Sequence, residues 1–334
     1  MNESQLRLAV VGCGAVAELF HIPAARQSAD FHLSALCDID ERRAMVLAAR
    51  FGVGKVVQNA QQLVGQVDAA IVAVPHKYHL AVAGPLLEAG VHVLCEKPLA
   101  LSRDECDQMI AVAKQSGAVL AVGHYRRFSD NLRHARAALL EVASPEQLSY
   151  CYEEGVPFNW PAHSDYVFDP GQAGGGAMLD TGCHALDLAE FLFGPVTDYE
   201  YFDDWAGGIE SDVHVRLTHK DGATGSIAIS RTRTLRNIMR VNGPEFVLEW
   251  SVWDPVDWRY KGTARYLLLL ADKVSFRSGI IMESLFSDQL ANFAGAICRK
   301  EPLAITAEQA ARIVGLIQEM YAKRQRMDMP WRWR

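Results

Sequence analysis

Glu96 and Lys97 are the first residues of this sequence whose placement suggests chemistry. They directly follow the apolar stretch His92–Cys95, and Pro98 comes next. A short apolar run is typical of a buried β-strand, and proline ends such a strand because it donates no backbone hydrogen bond. Two charges at this point are either a solvated strand end or part of a reactive site, and the local sequence leaves both open.

A second candidate is the spacing Asp180-x-x-x-His184-x-x-Asp187. Residues three and four apart lie on one helix face, so two carboxylates flank an imidazole. Histidine, with an ordinary pKa of about 6.5, can accept a proton in one direction of a reaction and return it in the other. The carboxylates could orient the imidazole or bind hydroxyl groups. The alternative is an amphipathic helix with an incidental histidine, since the neighbouring leucines already supply an apolar face.

A glycine turn precedes both candidates in the chain. Gly12-x-Gly14-x-x-Ala17 stands between a short apolar run and a stretch with helical spacing. The first glycine allows a tight turn, the second lets a pyrophosphate approach the backbone, and the small third residue lets helix pack on strand. Ala15 and Val16 complete the turn, where backbone N–H groups at a helix N-terminus can hold phosphate. The motif predicts a bound dinucleotide.

Asp38 indicates which dinucleotide is bound. It ends the second apolar run, 26 residues after Gly12. A carboxylate at this point hydrogen-bonds the adenosine ribose and repels a 2′-phosphate, so NAD is favoured. Arg42 and Arg43 follow closely and keep NADP as an alternative.

Pro75 and His79 lie in a loop after a further apolar run. Their position corresponds to the carboxyl edge of a parallel sheet, where open α/β sheets bind ligands. We therefore predict that both residues adjoin the cofactor. A structural polar contact explains a lone histidine at a helix start equally well.

The elements that position these residues form an α/β pattern in the first part of the chain. Continuous apolar runs separated by helical stretches indicate parallel strands that are buried on both faces. We predict a doubly wound Rossmann domain over residues 1–125. Its predicted strands are 7–11, 33–37, 69–74, 92–95 and 119–123, and its predicted helices are 15–29, 41–51, 80–89 and 103–116.

Residues 126–334 have a different pattern, which predicts an α+β domain with a large open, mostly antiparallel sheet for substrate binding and oligomerisation. Several runs alternate polar with apolar residues, and Asp221-Gly222 supplies a hairpin turn. The polar sheet face is either solvated or an interface, and we expect a homodimer or homotetramer formed through it. The predicted helices are 130–142 and 307–324, the latter free to pack back on the first domain, and the predicted strands are 148–154, 199–205, 212–218, 223–231 and 246–252.

Composition narrows the class of protein. The formal charge of −7 and the lack of a Lys/Arg-rich run argue against a nucleic-acid partner. The first residues lack the segments of a signal peptide and no apolar run could span a bilayer, so we expect no membrane partner and a cytoplasmic protein. The seven cysteines contain no C-x-x-C pair, so we expect reduced thiols and neither disulfides nor a metal site.

Together, these motifs resemble the Gfo/Idh/MocA oxidoreductases, a family that includes glucose–fructose oxidoreductase, inositol dehydrogenases and many sugar dehydrogenases. The resemblance rests on the glycine turn, the loop from Pro75 to His79 and, above all, Glu96-Lys97-Pro98. It continues through VGHYRRF at 122–128 and GGGAMLDTGCHALDLAEFLFG at 174–194, so it spans essentially the whole chain. His124 and Tyr125 depart from the family's usual residues, which argues against copying an inositol-like pocket.

The resemblance implies roles for the charged residues. Lys97 would hydrogen-bond the reacting oxygen and share the acid/base role with His184, while Glu96 would lie near the nicotinamide ribose or amide. Asp180 would be catalytic or substrate-binding, and we expect Thr181 and Asp187 beside the substrate as well.

Further residues are expected around the same site. We predict Arg126 at the cofactor and Arg127 at the substrate, with a salt bridge across the domain interface as an equally good explanation for each. Arg231 and Arg233 at a strand end either meet an acidic substrate or are solvated. From the aromatic segment 157–171 we expect three residues to line the substrate pocket, namely Trp160, His163 and Tyr166.

The sequence thus predicts an NAD-dependent oxidoreductase that moves a hydride between nicotinamide and a secondary alcohol of a polyhydroxylated small molecule. That substrate would be a sugar, cyclitol or sugar nucleotide, with His184 and Lys97 as the acid/base pair. Three alternatives stay open: an NADPH-dependent keto-sugar or imine reductase, a non-catalytic NAD-binding sensor, and a hydrolase with transient redox chemistry.

Overall fold

The first sheet lies in the N-terminal part of the chain. The computed structural model describes residues 5–157, 165–253, 258–262 and 282–327. Six parallel strands have the order β3-β2-β1-β4-β5-β6, so the order reverses between β1 and β4. A crevice at such a reversal is where doubly wound sheets bind ligands. The strands are β1 Leu6–Val11, β2 Phe31–Cys37, β3 Val56–Val57, β4 Ala69–Val72, β5 His92–Cys95 and β6 Leu120–Val122.

The helices between these strands largely follow the prediction. The helices at 41–51 and 103–116 have the predicted bounds, because Asp40 and Ser102 cap their first turns and Gly52 and Gly117 adopt left-handed conformations after their ends. The first helix differs from the prediction: it begins as a π-helical turn, Ala17–His21, and Pro23 cannot donate to the preceding turn. The α-helices are α1 Ile22–Gln27, α2 Glu41–Phe51, α3 His79–Glu88 and α4 Arg103–Ser116.

The second sheet has eight strands in the order β13-β12-β11-β7-β10-β9-β8-β14. Strand pairs β7/β10 and β8/β14 are parallel and the others are antiparallel, which confirms the mostly antiparallel prediction. The strands are β7 Ser149–Gly155, β8 Val196–Asp203, β9 Asp212–His219, β10 Thr224–Ser230, β11 Ile238–Asn242, β12 Phe246–Ser251, β13 Trp258–Gly262 and β14 Gln325–Arg326.

Helices cover one face of this sheet, and one of them, α9 (Ala307–Ala322), also reaches the first domain. On α9, Ala310 and Val314 pack into the first-domain core while Ile317 and Met320 pack into the second. Helix α8, which the sequence reading overlooked, packs Phe293 and neighbouring side chains on the other face of the first sheet. The helices are α5 Asp130–Val142, α6 Pro170–Ala173, the π-helical turn Met178–Gly182, α7 Cys183–Phe193, α8 Met282–Cys298 and α9 Ala307–Ala322.

The opposite face of the second sheet is polar. It carries a shallow groove of about 680 Å³. Arg216 and Glu200 pair across it, with Nη1 2.8 Å from Oε2. Its polar lining includes Ser149, Asp198, Glu200, His214, Arg216, Thr218, Thr224 and Ser226.

Three further features bear on the sequence predictions. All seven cysteines are free thiols. Within the described ranges, no helix is long and apolar enough to cross a membrane. Over the same ranges, no cluster of three or more histidine, cysteine or acidic side chains could hold a metal ion.

Candidate active site

One large cleft of about 1180 Å³ runs along the carboxyl edge of the first sheet and under the second domain. Its walls combine residues from both halves of the chain. Of the residues predicted to form the site, those that line it are Gly12, Gly14, Ala15, Val16, Asp38, Pro75, Glu96, Lys97, Arg126, Tyr166, Asp180, Thr181 and His184.

The glycine turn has the geometry that its motif demands. Gly12 has φ +94°, and a Cβ there would lie 2.4 Å from the Ala73 carbonyl oxygen, so glycine is required. At Gly14 no atom lies within 4 Å of the position a Cβ would take. The cleft is therefore open directly above the Gly14 backbone, beside the start of a helix, where a pyrophosphate group fits.

Asp38 closes the same end of the cleft. Its Oδ2 accepts a hydrogen bond from the Cys13 backbone N–H at 2.7 Å, and its Oδ1 accepts one from the Asp40 N–H at 2.8 Å. The backbone thus fixes the direction of a largely buried carboxylate. Arg43 also lines the cleft here and lies 3.6 Å from the Asp40 carboxylate.

Lys97 and Asp180 form the centre of the other end. The Lys97–Pro98 peptide is cis. Lys97 Nζ donates to Asp180 Oδ1 at 2.7 Å and to the Asp180 carbonyl at 3.0 Å. Arg231 Nη2 donates to the second oxygen, Oδ2, at 2.7 Å. One carboxylate thus holds two cations from different domains, and the strand-end charge at Lys97 lies inside a cleft.

The charge states of this cluster follow from burial and pairing. Burial alone would raise the pKa of Asp180, but Lys97 and Arg231 hold it well below its usual range. Burial alone would lower the pKa of Lys97, but the adjacent Asp180 carboxylate more than offsets this, and the pKa is raised. Lys97 is a fixed cation and Asp180 a fixed anion at neutral pH.

His184 lies beside this pair and is uncharged. Burial, together with the positive charges of Arg126 and Lys97, lowers its pKa well below the ordinary value. Its ring packs edge-on against Tyr125, with centroids 5.2 Å apart, and against His124 at 5.6 Å. Its Nδ1 is buried without a hydrogen-bond partner among the described residues. A neutral imidazole in a cleft is able to accept a proton.

Glu96 is held by a histidine that the sequence reading overlooked. His21 Nε2 donates to Glu96 Oε1 at 2.7 Å, and both side chains are buried. Burial alone would raise the pKa of Glu96, but the hydrogen bond from His21 and the charge of Lys97 lower it. A Cβ at Gly123 would lie 2.9 Å from the Glu96 carboxyl group, so this site needs glycine. The hydrogen bond between His21 and Glu96 directly joins the helical turn that follows the glycine motif to the Glu96-Lys97 turn.

Arg126 lines the cleft in a buried ion pair. Its two terminal nitrogens donate to the two carboxylate oxygens of Glu154, each at 2.8 Å, and Nη1 also donates to the Tyr152 hydroxyl at 2.6 Å. The pair links the turn Tyr125–Phe128, which follows β6 of the first sheet, to β7 of the second sheet, so a salt bridge at the junction of the two sheets is present at the cleft wall.

Three predicted site residues are not brought to the cleft wall. His79 is fully buried, with ring nitrogens 2.9 Å from the Pro98 carbonyl and 3.0 Å from the Val74 carbonyl, so it joins two loops. Arg127 binds both oxygens of Asp187 in the protein interior. Asp187 shares a helix face with His184 as predicted, but this face leads from the cleft into the core. Trp160 and His163 lie outside the described residues.

The structure adds residues to the site that the sequence motifs do not indicate. His76 lines the cleft, although the residue predicted from the same loop is His79. Arg231, for which the sequence leaves two alternatives open, binds Asp180. Phe286 stacks between Phe20 and Tyr125, with its ring centroid 4.8 Å from each of theirs, and all three rings line the cleft. Phe286 comes from α8, about 160 residues after Tyr125, and nothing local could have signalled this contact.

The residues present fit a dinucleotide. The open space above Gly14, the fixed carboxylate of Asp38 and the Pro75 loop line one end of the cleft, and Lys97 lies at the other. Together with the strand order, they define the first domain as an NAD-binding Rossmann fold. The second domain, with its open sheet, completes the cleft. The two domains together define the class of two-domain, dinucleotide-binding oxidoreductases.

Comparison with known proteins gives the family. A model of the oxidoreductase family with an NAD-binding Rossmann fold matches residues 6–124, and a model of the GFO/IDH/MocA C-terminal domain matches residues 152–249. The two matches together cover more than half of the chain. The chain belongs to the Gfo/Idh/MocA family.

Relatives include the D-glucoside 3-dehydrogenase of Escherichia coli, which is 31% identical over 58% of this chain and 56% of that protein. The myo-inositol 2-dehydrogenase of Thermotoga maritima is 28% identical over 68% of this chain and 69% of that protein. The matched region spans only 52–56% of the length of three relatives: this glucoside dehydrogenase, a UDP-kanosamine synthase oxidoreductase subunit of Amycolatopsis mediterranei and a 1,5-anhydro-D-fructose reductase of Ensifer adhaerens. The WlbA dehydrogenase from Bordetella pertussis, solved with NADH and UDP-GlcNAcA, has a TM-score of 0.81 at 18% identity, covering 97% of this chain and 96% of that one. At that identity the likeness shows the fold.

Proposed function

We propose that this protein is an NAD-dependent oxidoreductase that moves a hydride between nicotinamide and a secondary alcohol of a sugar, cyclitol or sugar nucleotide. One observation carries the proposal: a single cleft joins the glycine turn and Asp38 to Lys97, Asp180 and His184. The names of the glucoside and inositol relatives support a polyhydroxylated substrate, as does the sugar nucleotide in the solved neighbour.

The charge states support a division of labour between Lys97 and His184. NAD bound along the cleft supplies the hydride acceptor. The neutral His184 takes the hydroxyl proton as general base and returns it in the reverse direction. Lys97, kept cationic by Asp180, hydrogen-bonds the same oxygen and stabilises negative charge that develops on it. Asp180 directs Lys97 through two hydrogen bonds, and Arg231 directs Asp180.

We further propose that NAD is preferred over NADP. The Asp38 carboxylate is held toward the cleft by two backbone N–H groups, and it would repel a 2′-phosphate. Arg43 is the one nearby cation among the described cleft-lining residues that could favour the phosphate.

We also propose that the chain forms a homodimer or homotetramer through the polar face of the second sheet. The support is an eight-stranded open sheet whose inner face packs on helices and whose outer face carries the polar groove described above.

A substrate panel tests the proposed activity. Purified protein is incubated with NAD and with glucosides, inositols and sugar nucleotides, and NADH formation is followed by its absorbance. We expect turnover of at least one class, and a loss of about 10²–10⁴-fold in kcat for His184→Ala. His32→Ala, a histidine remote from the cleft, is the matched control. Failure of the wild-type protein to oxidise any compound while it still binds NADH would favour the sensor alternative.

A further inference from the structure

His76 occupies the substrate end of the cleft with unused hydrogen-bonding capacity. It begins the short helical turn His76–Tyr78 after β4 and lines the cleft. Its exposed fraction is 8%, and its Nδ1 is buried without a hydrogen-bond partner among the described residues. Buried polar atoms in native proteins are almost always paired, so an unpaired nitrogen on a residue that lines the cleft suggests a ligand group as its partner.

The neighbouring His79 provides the contrast. Both of its ring nitrogens lie within hydrogen-bond distance of backbone carbonyls, and the single N–H of the neutral ring donates to one of them. The same loop thus carries one histidine whose ring N–H is paired by the protein and one whose Nδ1 has no partner among the described residues.

The surroundings of His76 come from both domains, at the Lys97 end of the cleft. Its ring packs edge-on against Tyr166, with centroids 5.7 Å apart, and against His79 at 5.8 Å, and the charges of Asp180 and Lys97 act on it. Asp38 and the glycine turn, which face the adenosine end, are not among its contacts. This placement favours the substrate over the adenosine part of the cofactor as the partner of His76.

His76 is a neutral imidazole. Burial, with the adjacent His79 and Lys97, lowers its pKa to about 3, against the opposing effect of Asp180. A neutral imidazole has one donor and one acceptor nitrogen, and such a group matches a hydroxyl. The cleft therefore holds two neutral imidazoles, His76 and His184, both close to Lys97.

We propose that His76 is a substrate-binding residue that hydrogen-bonds a hydroxyl adjacent to the one that reacts, so that the substrate class is a vicinal diol. The inference rests on the proposed function. His184 and Lys97 engage the reacting hydroxyl, and His76 binds its neighbour. A hydroxyl of the nicotinamide ribose has the same chemistry, and the experiment below separates the two sources.

The test removes each partner of this hydrogen bond in turn. The probes are methyl β-D-glucopyranoside and myo-inositol, whichever the wild-type protein oxidises faster, and monodeoxy analogues that lack one hydroxyl next to the reacting carbon. For one analogue we expect kcat/KM to fall about 10- to 100-fold, as when a buried hydrogen-bonding group loses its partner. His76→Leu should lose a similar factor on the parent compound and almost nothing further on that analogue.

Controls make the result independent of the amount of folded protein. The ratio of kcat/KM for parent and analogue is formed within each variant, so misfolded protein cancels. His76→Asn, whose amide can replace Nδ1, should regain part of the wild-type ratio. His32→Leu should keep the wild-type ratio, and the dissociation constant for NADH, measured by fluorescence, should change less than about twofold in His76→Leu.

The outcomes separate the possibilities. If the loss in kcat/KM from His76→Leu and the loss from removing a hydroxyl multiply for every analogue, the two groups act independently. That result overturns the inference and leaves the proposed function intact. A weakening of NADH binding that equals the loss in kcat/KM assigns His76 to the nicotinamide ribose and overturns the substrate assignment. A wild-type protein that oxidises neither probe nor any other polyol overturns the proposed function, and the inference with it.

Discussion

Replacing Lys97 by alanine separates chemistry from folding in this site. The change removes the cation that is proposed to face the reacting oxygen, while Asp180 keeps its hydrogen bond from Arg231 at 2.7 Å. We expect kcat/KM to fall by about 10²–10⁴-fold, the usual size for losing an acid/base or charge-stabilising group. This corresponds to about 3–5.5 kcal/mol of transition-state stabilisation, at about 1.4 kcal/mol for each tenfold change.

The expected cost in stability is smaller. Lys97 donates two hydrogen bonds, to the side chain and the carbonyl of Asp180. A hydrogen bond to a charged group contributes about 1.5–3 kcal/mol. Because Arg231 still neutralises Asp180, and because the Asp180 side chain is 27% exposed, we expect a loss of about 1–2 kcal/mol in the free energy of unfolding. Domains have about 5–15 kcal/mol in total, so the variant should remain folded.

Three measurements check this prediction: kcat/KM from NADH absorbance, the dissociation constant for NADH, and the urea midpoint of unfolding. Lys114→Ala is the matched control, because Lys114 forms an exposed ion pair with Glu308 at 2.8 Å. Turnover by Lys97→Ala within about threefold of wild type would remove Lys97 from the mechanism. A loss of activity that merely matches a loss of folded protein would refute the separation.

Three further predictions concern pH, the cofactor and assembly. Five buried histidines have lowered pKa values in the folded protein, so the unfolded chain binds more protons below about pH 6.5. The free energy of unfolding should therefore fall between pH 7 and 5, by up to about 1.4 kcal/mol per pH unit for each of His76, His79, His124, His184 and His219. Urea titrations at these pH values check this, and equal stabilities would contradict it. Asp38→Asn should lower the preference for NAD over NADP by about tenfold or more, since the repelling charge is lost. The ratio of kcat/KM with NAD to kcat/KM with NADP measures this preference, and Glu41→Gln is the control. An unchanged ratio in Asp38→Asn would count against the role of Asp38. Ser226→Arg, on the polar sheet face, should reduce the solution mass by light scattering, and a wild-type monomer would refute the interface.

The sequence predicted the first domain better than the second. Helices α2 and α4 have the predicted bounds because their caps and terminal glycines are local signals. Strands β11 and β13 and helix α8 did not enter the prediction. In β11, two polar residues interrupt a run of only five residues, and its register is set by pairing with β7 and β12. Local pattern is weak where partners far along the chain decide the structure.

The same limit applies to the site. Motifs located Gly12, Asp38, Lys97 and Asp180 because the chemistry of each is tied to a strand end or a helix start. The sequence does not show which charged side chains pair with each other in the folded protein. Asp187 lies at the predicted spacing from His184, yet Arg127 binds it in the interior. In the loop after β4 the spacing offered two histidines, and only the tertiary contacts show which one faces the cleft.

Helix α8 also has a consequence for synthesis on the ribosome. It supplies Phe286, Leu290 and Phe293 to the core on one face of the first sheet, although it follows that sheet by more than 150 residues. Helices α1 and α2 cover only part of this face, so the N-terminal strands emerge with the rest of it exposed until α8 has been translated. A fragment that ends near residue 125 would expose that face and should aggregate, so the dinucleotide-binding half is not a module that can be separated from the rest.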